Sequence, residues 1–385
     1  MSTDLSSLLI VGNSGRAMAQ SAVRGGFAVT VLDGFCDQDT QAVADCRPVR
    51  FDDHGLGHEQ LLSEIELFPS GRAVGMVYGA GLEGASSLLS RLSEHCLLLG
   101  NDPTVLEMLC NPRCYFTLLD TLQIPYPEVR FSPPEFITAT DWLIKRAGSS
   151  GGLGVTFWSH ELSVAGPEYY YQRFLRGSAM SALFIADGNN HRIIGYNSLK
   201  TTSPDKATPF LYGGALGQAS LDDSLCQRVE FCVEKLVYTL GLRGVNSLDF
   251  MLSDGEIFVL DLNTRPTATL ELYEHQLADG WMKYHVQACL GKLPAELPFT
   301  DSALVHGHQI VYAPRAVEIP AVMNWPGWAK DRPAAGARIA RGEPVCSLFT
   351  QGREADVVEA RLRQYQSEIL TMISSPVYKH PREST

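Results

Sequence analysis

Two aspartates and an asparagine in the segment Asn246 to Arg265 (NSLDFMLSDGEIFVLDLNTR) could hold a hard cation. Leu248, Phe250, Leu252, Phe258, Leu260 and Leu262 take even positions and are all large and apolar, whereas Asp249, Asp261 and Asn263 take odd ones. That alternation is the period of a half-buried strand. If Ser253-Asp254-Gly255 is a three-residue hairpin loop with Gly255 left-handed, the six apolar residues share one face. The two carboxylates and the amide oxygen then share the other face, on adjacent strands. A two-residue loop would mix the faces and bury an aspartate. Carboxylate and amide oxygens suit Mg²⁺ carrying nucleotide phosphates, and Arg265 follows on the same side. A solvent-exposed polar face is the alternative, but it explains scattered charges and not a gap-free partition of this kind.

Three other segments have chemical potential. Trp142 to Val155 delivers Lys145 on an apolar strand, then Gly148, Ser149, Ser150, Gly151, Gly152 and Gly154, then another apolar strand. Such a loop can fold over a polyphosphate, its amides and the lysine facing the negative charge. It lacks the GK[ST] ending and following helix of a Walker loop, and glycine-rich hairpins are common. Tyr171-Gln172-Arg173-Phe174-Leu175-Arg176-Gly177 reads as a strand whose backbone could meet an adenine edge, or as a strand only. Gly12-Asn13-Ser14-Gly15-Arg16, with Asp33 at the end of the next strand, has the place of a dinucleotide turn without GxGxxG. A tight structural turn is the alternative, and an NAD(P)-dependent oxidoreductase is the function it would imply.

The elements that must position these residues follow from apolar patterning. Short strands and helices alternate over the first hundred residues, among them Leu8 to Val11, Arg16 to Arg24, Phe27 to Leu32, Glu59 to Phe68, Ala73 to Tyr78, Gly84 to Cys96 and Leu97 to Leu99. Alternation of this kind implies a parallel sheet. One helix is expected from Thr104 to about Gln123, another from Asp222 to Leu240, a third from Leu270 to Leu290 and a last from Asp356 to Met372. Strands dominate from Ile124 to Thr267, and His308 to Ala313 and Pro344 to Phe349 are strand-like. The expected units are 1–103, Rossmann-like; 104–292, two lobes; and 293–385, a small β-rich piece with a final helix. The fold class is thus α/β with α+β.

Order along the chain connects the segments. The glycine-rich loop with its lysine, the strand ending Gln-Arg-Phe-Leu-Arg-Gly, and the hairpin with Asp…Asp-x-Asn-x-Arg resemble the ATP-grasp superfamily. The preceding Rossmann-like region and Asn111-Pro-Arg-Cys-Tyr-Phe116…Ile124-Pro-Tyr-Pro127 share that resemblance, which covers about residues 8 to 290. Gly336…Gly342-Glu-Pro-Val-Cys346 more loosely resembles the C-terminal piece of carboxylase-like members. The resemblance implies ATP between two lobes. Lys145 and Arg113 would lie on the phosphates, Gly148 to Gly154 would form a lid, and Gln172, Phe174 and Leu175 would face adenine. Asp249, Asp261 and Asn263 would hold Mg²⁺ (Mn²⁺ as an alternative), and Arg265 would stabilise the transferred phosphoryl group. Three positions depart from the pattern: Arg113 replaces the usual lysine, Asp261 the usual glutamate, and Ala179 an acidic residue often on ribose.

The reaction so implied joins a small carboxylate to an amine through an acyl phosphate. Alternatives are a carboxylase using bicarbonate and a non-catalytic nucleotide-binding regulator. Gly79-Ala-Gly-Leu-Glu83 and Asn263-Thr-Arg-Pro-Thr-Ala-Thr269 further resemble ATP-dependent carboligases of one-carbon-carrier cofactor biosynthesis in methylotrophic bacteria (methanopterin or methanofuran type). Dimerisation is common in the superfamily.

Composition sets outer bounds. A net charge of −12 argues against a nucleic-acid partner, which needs a basic footprint. No apolar run approaches the roughly 20 residues of a membrane span. Met1-Ser-Thr-Asp4 lacks the basic start of a secretory signal, and nine cysteines without a CxxC pair read as cytosolic thiols. Cys110 and Cys114 at helical spacing, and His306-x-His308 on a strand, could bind metal but lack further ligands. Trp325 and Trp328 read as a packed turn.

Overall fold

The computed structural model describes residues 5–52, 55–68, 74–134, 141–159, 166–204, 208–297 and 303–374. Met1 to Asp4 and Ala73 lie outside them. Five short strands come first: β1 (Ser7–Gly12), β2 (Ala28–Asp33), β3 (Asp45–Pro48), β4 (Val74–Tyr78) and β5 (Leu97–Leu98). They form a parallel sheet in the order β3-β2-β1-β4-β5. Helices α1 (Arg16–Arg24), α2 (His58–Glu66) and α3 (Ser86–His95) lie in the connections. Central β1 is covered on both sides, which is why Leu8 to Val11 is an unbroken apolar run. Leu9 and Val11 pack with Leu61 and Leu89, whereas Leu8 and Ile10 share a core with Trp281, Met282 and Val286 from much later in the chain.

The expected helix from Thr104 to Gln123 is two, α4 (Pro103–Cys110) and α5 (Pro112–Thr121). Pro112 has no N–H to continue the first, and Asn111 caps the second by accepting from the N–H groups of Arg113 and Cys114. A four-stranded antiparallel sheet follows, with β6 (Val129–Arg130), β7 (Trp142–Arg146), β8 (Val155–Phe157) and β9 (Tyr169–Arg173) in the order β8-β7-β9-β6.

The largest sheet has eight antiparallel strands. It is built from β10 (Ser178–Asp187), β11 (His191–Thr202), β12 (Leu211–Leu216), β13 (Arg243–Ser253), β14 (Glu256–Asn263), β15 (Val305–Tyr312), β16 (Ala329–Lys330) and β17 (Pro344–Gly352). Their order is β14-β13-β10-β11-β12-β15-β17-β16, so the sheet runs through the expected boundary at 292/293. Helix α6 (Asp223–Leu240) covers it with Val229, Val233 and Leu236 against Phe184, Leu248 and Phe250. The expected helix from Leu270 to Leu290 is a 3-10 stretch, Ala268–Gln276, and then α7 (Trp281–Cys289) after Gly280. Helix α8 (Ala355–Ser374) packs on β15 and β17.

Candidate active site

The carboxylates lie on the β13–β14 hairpin, and its register differs from expectation. The turn has two residues, Asp254 and Gly255, both with positive φ (51° and 78°), so Ser253 pairs with Glu256. That is the backbone of a type I′ turn. A bulge at Leu260 then shifts the ladder by one residue, and Asp249 comes directly opposite Asp261. Ile257 and Val259 join Leu248, Phe250 and Leu262 in the core, in place of Phe258 and Leu260. The bulge is what lets a two-residue turn put both aspartates on the cleft side.

Those aspartates line a cleft of about 500 Å³ between the small and large sheets, a volume in the range of small-molecule sites. Asp249 accepts from Asn263 Nδ2 at 3.0 Å and Ser247 Oγ at 3.3 Å. Burial, and then the charge of Asp261, push its carboxyl up to about 7. Burial also raises Asp261, against the pull of Lys145 and a hydrogen bond of 2.8 Å from the Leu262 N–H. Burial lowers the Lys145 ammonium, and Asp261 and Asp249 pull it back up. Two carboxylates raised together are a site that a divalent cation would relieve, so this donor set fits Mg²⁺. Asn263 is turned with its nitrogen on Asp249 and its oxygen 3.4 Å from Arg265, so a half-turn of the amide is needed before that oxygen could join.

Arg265 is 8% exposed, and its Nε donates to Glu83 Oε1 at 2.7 Å, with Nη2 on the same oxygen. The other oxygen of Glu83 accepts from the Gly81 N–H at 2.7 Å. The Thr264 carbonyl, between Asn263 and Arg265, accepts from Tyr78 Oη at 2.9 Å and from Asn101 Nδ2 at 2.8 Å. Sequence reasoning missed Glu83, Tyr78 and Asn101 as site residues. Their signal is position: Tyr78 ends a parallel strand and Glu83 follows its carboxyl end, where open α/β sheets present their ligand-facing groups.

The glycine loop covers the cleft. Gly148, Ser149, Ser150, Gly151 and Gly152 line it, whereas Gly154 accepts from the Arg146 N–H at 3.0 Å and closes the hairpin instead. The Gly151 carbonyl accepts from the Tyr212 N–H at 2.8 Å, and Ser149 Oγ donates to the Arg146 carbonyl at 2.6 Å. Gly152 (φ +78°) lies so close to β12 that a Cβ there would fall 1.9 Å from the Phe210 carbonyl oxygen. The loop is thus tied to the large sheet.

Gln172 is 1% exposed, lines the cleft and has no partner for its Nε2 among the described residues. The Phe174 N–H donates to the Asp141 carbonyl at 2.8 Å, so only the carbonyl of Phe174 remains for a ligand, beside the lining backbone of Leu175. Ala179 lines the cleft with a methyl group. Arg113 is not among the lining residues, and its guanidinium lies 4.2 Å above the Phe131 ring.

The first glycine turn is built differently. Asp33 is fully buried and accepts from the N–H groups of Gly15 (2.8 Å), Phe35 (2.8 Å) and Cys36 (2.9 Å). Both of its oxygens close the turn. His306 stacks on His275 at 3.7 Å and His308 bonds Tyr212 at 2.6 Å, so both pack in place. All nine cysteines are free thiols.

Residues 111–269 match the family model of the ATP-grasp domain. The chain has the ATP-grasp fold. It is similar to the N5-carboxyaminoimidazole ribonucleotide synthetase of Thermotoga maritima (TM-score 0.67, 15% identity, 94% of this chain and 98% of that one). It is also similar to the L-amino acid ligase of Bacillus licheniformis (TM-score 0.68, 15% identity, 94% and 97%). A third likeness is to the biotin carboxylase domain of a Hydrogenobacter thermophilus 2-oxoglutarate carboxylase, solved with MgADP, ADP and bicarbonate (TM-score 0.70, 12% identity, 93% and 88%). No helix among the described residues is long and apolar enough to cross a membrane.

Proposed function

We propose that this protein is an ATP- and Mg²⁺-dependent ligase that activates a small carboxylate as an acyl phosphate and joins it to an amine, releasing ADP and phosphate. One observation carries the reading. Two opposed carboxylates, both raised by burial, share a single cleft with Lys145 and a glycine loop. Asp249 and Asp261 would hold Mg²⁺, with Asn263 completing the set after its amide turns. The metal supplies charge neutralisation between phosphates. Lys145 and the loop amides bind the phosphate oxygens, and the loop excludes water. Gln172 and the backbone of Phe174 and Leu175 meet adenine. Glu83 fixes the plane of the Arg265 guanidinium, which faces charge spreading over the transferred group. A carboxylate oxygen leaves poorly, and phosphorylation removes that obstacle before the amine attacks.

The substrate class, an amino acid joined to an amine of a one-carbon carrier cofactor in the cytoplasm, rests on sequence resemblance alone. A bicarbonate-using carboxylase is the second reading, favoured by the C-terminal strands that continue the large sheet. The buried, fully bonded Asp33 weighs against a nicotinamide-dependent oxidoreductase. Incubation with ATP, Mg²⁺ and panels of acids and amines decides among these. ADP and phosphate released only when acid and amine are both present support the ligase. Bicarbonate-dependent ADP release without an added acid selects the carboxylase. Release of AMP and pyrophosphate, or tight ATP binding without turnover, refutes both.

A further inference from the structure

A second cavity, of about 320 Å³, lies at the far end of the large sheet, lined by parts of the C-terminal strands, α8 and the 3-10 stretch. We propose that it binds a compact, multiply charged oxyanion, a dicarboxylate or a phosphate ester, and that it is separate from the ATP-grasp cleft. Two cations face it, Lys330 on β16 and Arg361 on α8. Neither has a carboxylate partner among the described residues, although acids outnumber bases by 12 in the whole chain. Arg361 is pre-oriented: its Nη1 donates to Thr350 Oγ1 at 3.2 Å and to the Gln351 carbonyl at 2.8 Å, and among the described residues no acceptor takes Nε or Nη2. The carboxylate at the rim, Glu271, is already engaged by Arg16 through two bonds of 2.7 and 2.6 Å.

The walls are rigid. The Trp328 ring stacks on Tyr365 at 3.9 Å with an interplanar angle of 1°. Trp328 lies two residues before Lys330, and Tyr365 one helical turn after Arg361, so the stack holds the two cations on facing elements. His306 Nε2, on the same cavity, is a buried atom without a partner among the described residues, a further polar group for a ligand to satisfy. On the other side, Phe349 stacks on His308, which bonds Tyr212 of the cleft. That layer of side chains separates the two cavities. A guanidinium oriented by two hydrogen bonds and an ammonium without a carboxylate partner, on one concave wall, recognise an oxyanion by charge-assisted hydrogen bonds.

The experiment is isothermal titration calorimetry of the full chain with inorganic phosphate and, separately, with succinate, at low ionic strength where screening is weak. The same titrations are run on Lys330→Met and Arg361→Gln, after melting curves establish that both variants fold. One-to-one binding of either anion to the wild type, weakened at least about tenfold in each variant, supports the site. Phosphate alone identifies a phosphate ester, and succinate alone a dicarboxylate. Absence of heat from both anions, or affinities that the two substitutions leave unchanged, overturns it. MgADP titrated into the same variants reads the cleft independently, so failure of the ATP reading and failure of this one are separate results.

Discussion

The protein has two glycine turns at the ends of apolar strands, and only one of them leaves charge unspent. At the first, Asp33 takes three backbone N–H groups, and Arg16 is buried between Glu271 and Asp331. At the second, Lys145 faces Asp249 and Asp261 without bonding to either, and the Nε2 of Gln172 has no partner among the described residues. Buried polar groups are ordinarily satisfied within the protein. The first turn also holds a buried amide oxygen without a partner among the described residues, Asn13 Oδ1, but the second differs in that its unmatched charge and amide line a cavity, and so it is prepared for a ligand.

Breaking the second region should therefore cost activity before stability. Asp261→Ala is expected to lower ATP turnover by about 10²–10³-fold or more. Its melting temperature should stay near the wild-type value or rise, because one of two mutually repelling carboxylates is gone. Coupled ADP-release assays and thermal melts read the two halves, and wild-type turnover would remove Asp261 from the metal set. Gly152→Ala comes next. Its Cβ would meet the Phe210 carbonyl at 1.9 Å, so the loop must lift from β12. A misplacement on the order of 1 Å lowers kcat/KM for MgATP by about 10²-fold. An unchanged value would mean that the loop's seat on the large sheet has no part in nucleotide binding.

Much of this contrast was legible in the residues. The unbroken run Leu8 to Val11 announced a strand covered on both faces, and the alternation around Asp249 and Asp261 announced a half-buried hairpin. What misled was the strict period of two, because a bulge at Leu260 is a local choice of backbone that no pattern of side chains records. The break at Asn111-Pro112 was written in the sequence, but apolar residues on both sides masked it. Glu83, Tyr78 and Asn101 act through contacts with residues 163 to 186 positions away. Side-chain type alone does not encode such pairings. Sheet continuity is equally hard to read: β12 pairs with β15, although the two segments lie far apart in the sequence.

Breaking the first region should do the reverse. In Gly15→Ala the new methyl would lie 2.4 Å from Val31 Cγ1, deep in the sheet core. Overpacking of that kind costs about 1–3 kcal/mol, read as a lower urea midpoint with an unchanged slope. The KM for MgATP should not move in the fraction that remains folded. A shift in KM with stability intact would erase the distinction between the two turns.

The smallest effect sharpens the comparison from inside the scaffold. Asp37 is 4% exposed and its Oδ2 has no partner among the described residues, and burial, followed by Asp331, Asp33 and Asp39, pushes its carboxyl up to about 8. The folded chain therefore holds a proton there that the unfolded chain releases near pH 4. Where the folded state binds more protons, stability falls as pH rises, here from about 4 to about 8. Asp249, Asp33 and Asp261 are raised as well and act with the same sign. Asp37→Asn should consequently flatten, without abolishing, the decline in urea midpoint between pH 5 and pH 8, and be most stabilising at the alkaline end. A variant that keeps the full wild-type slope would show that Asp37 is ionised in the folded protein, and the first turn would then hold an unmatched charge of its own.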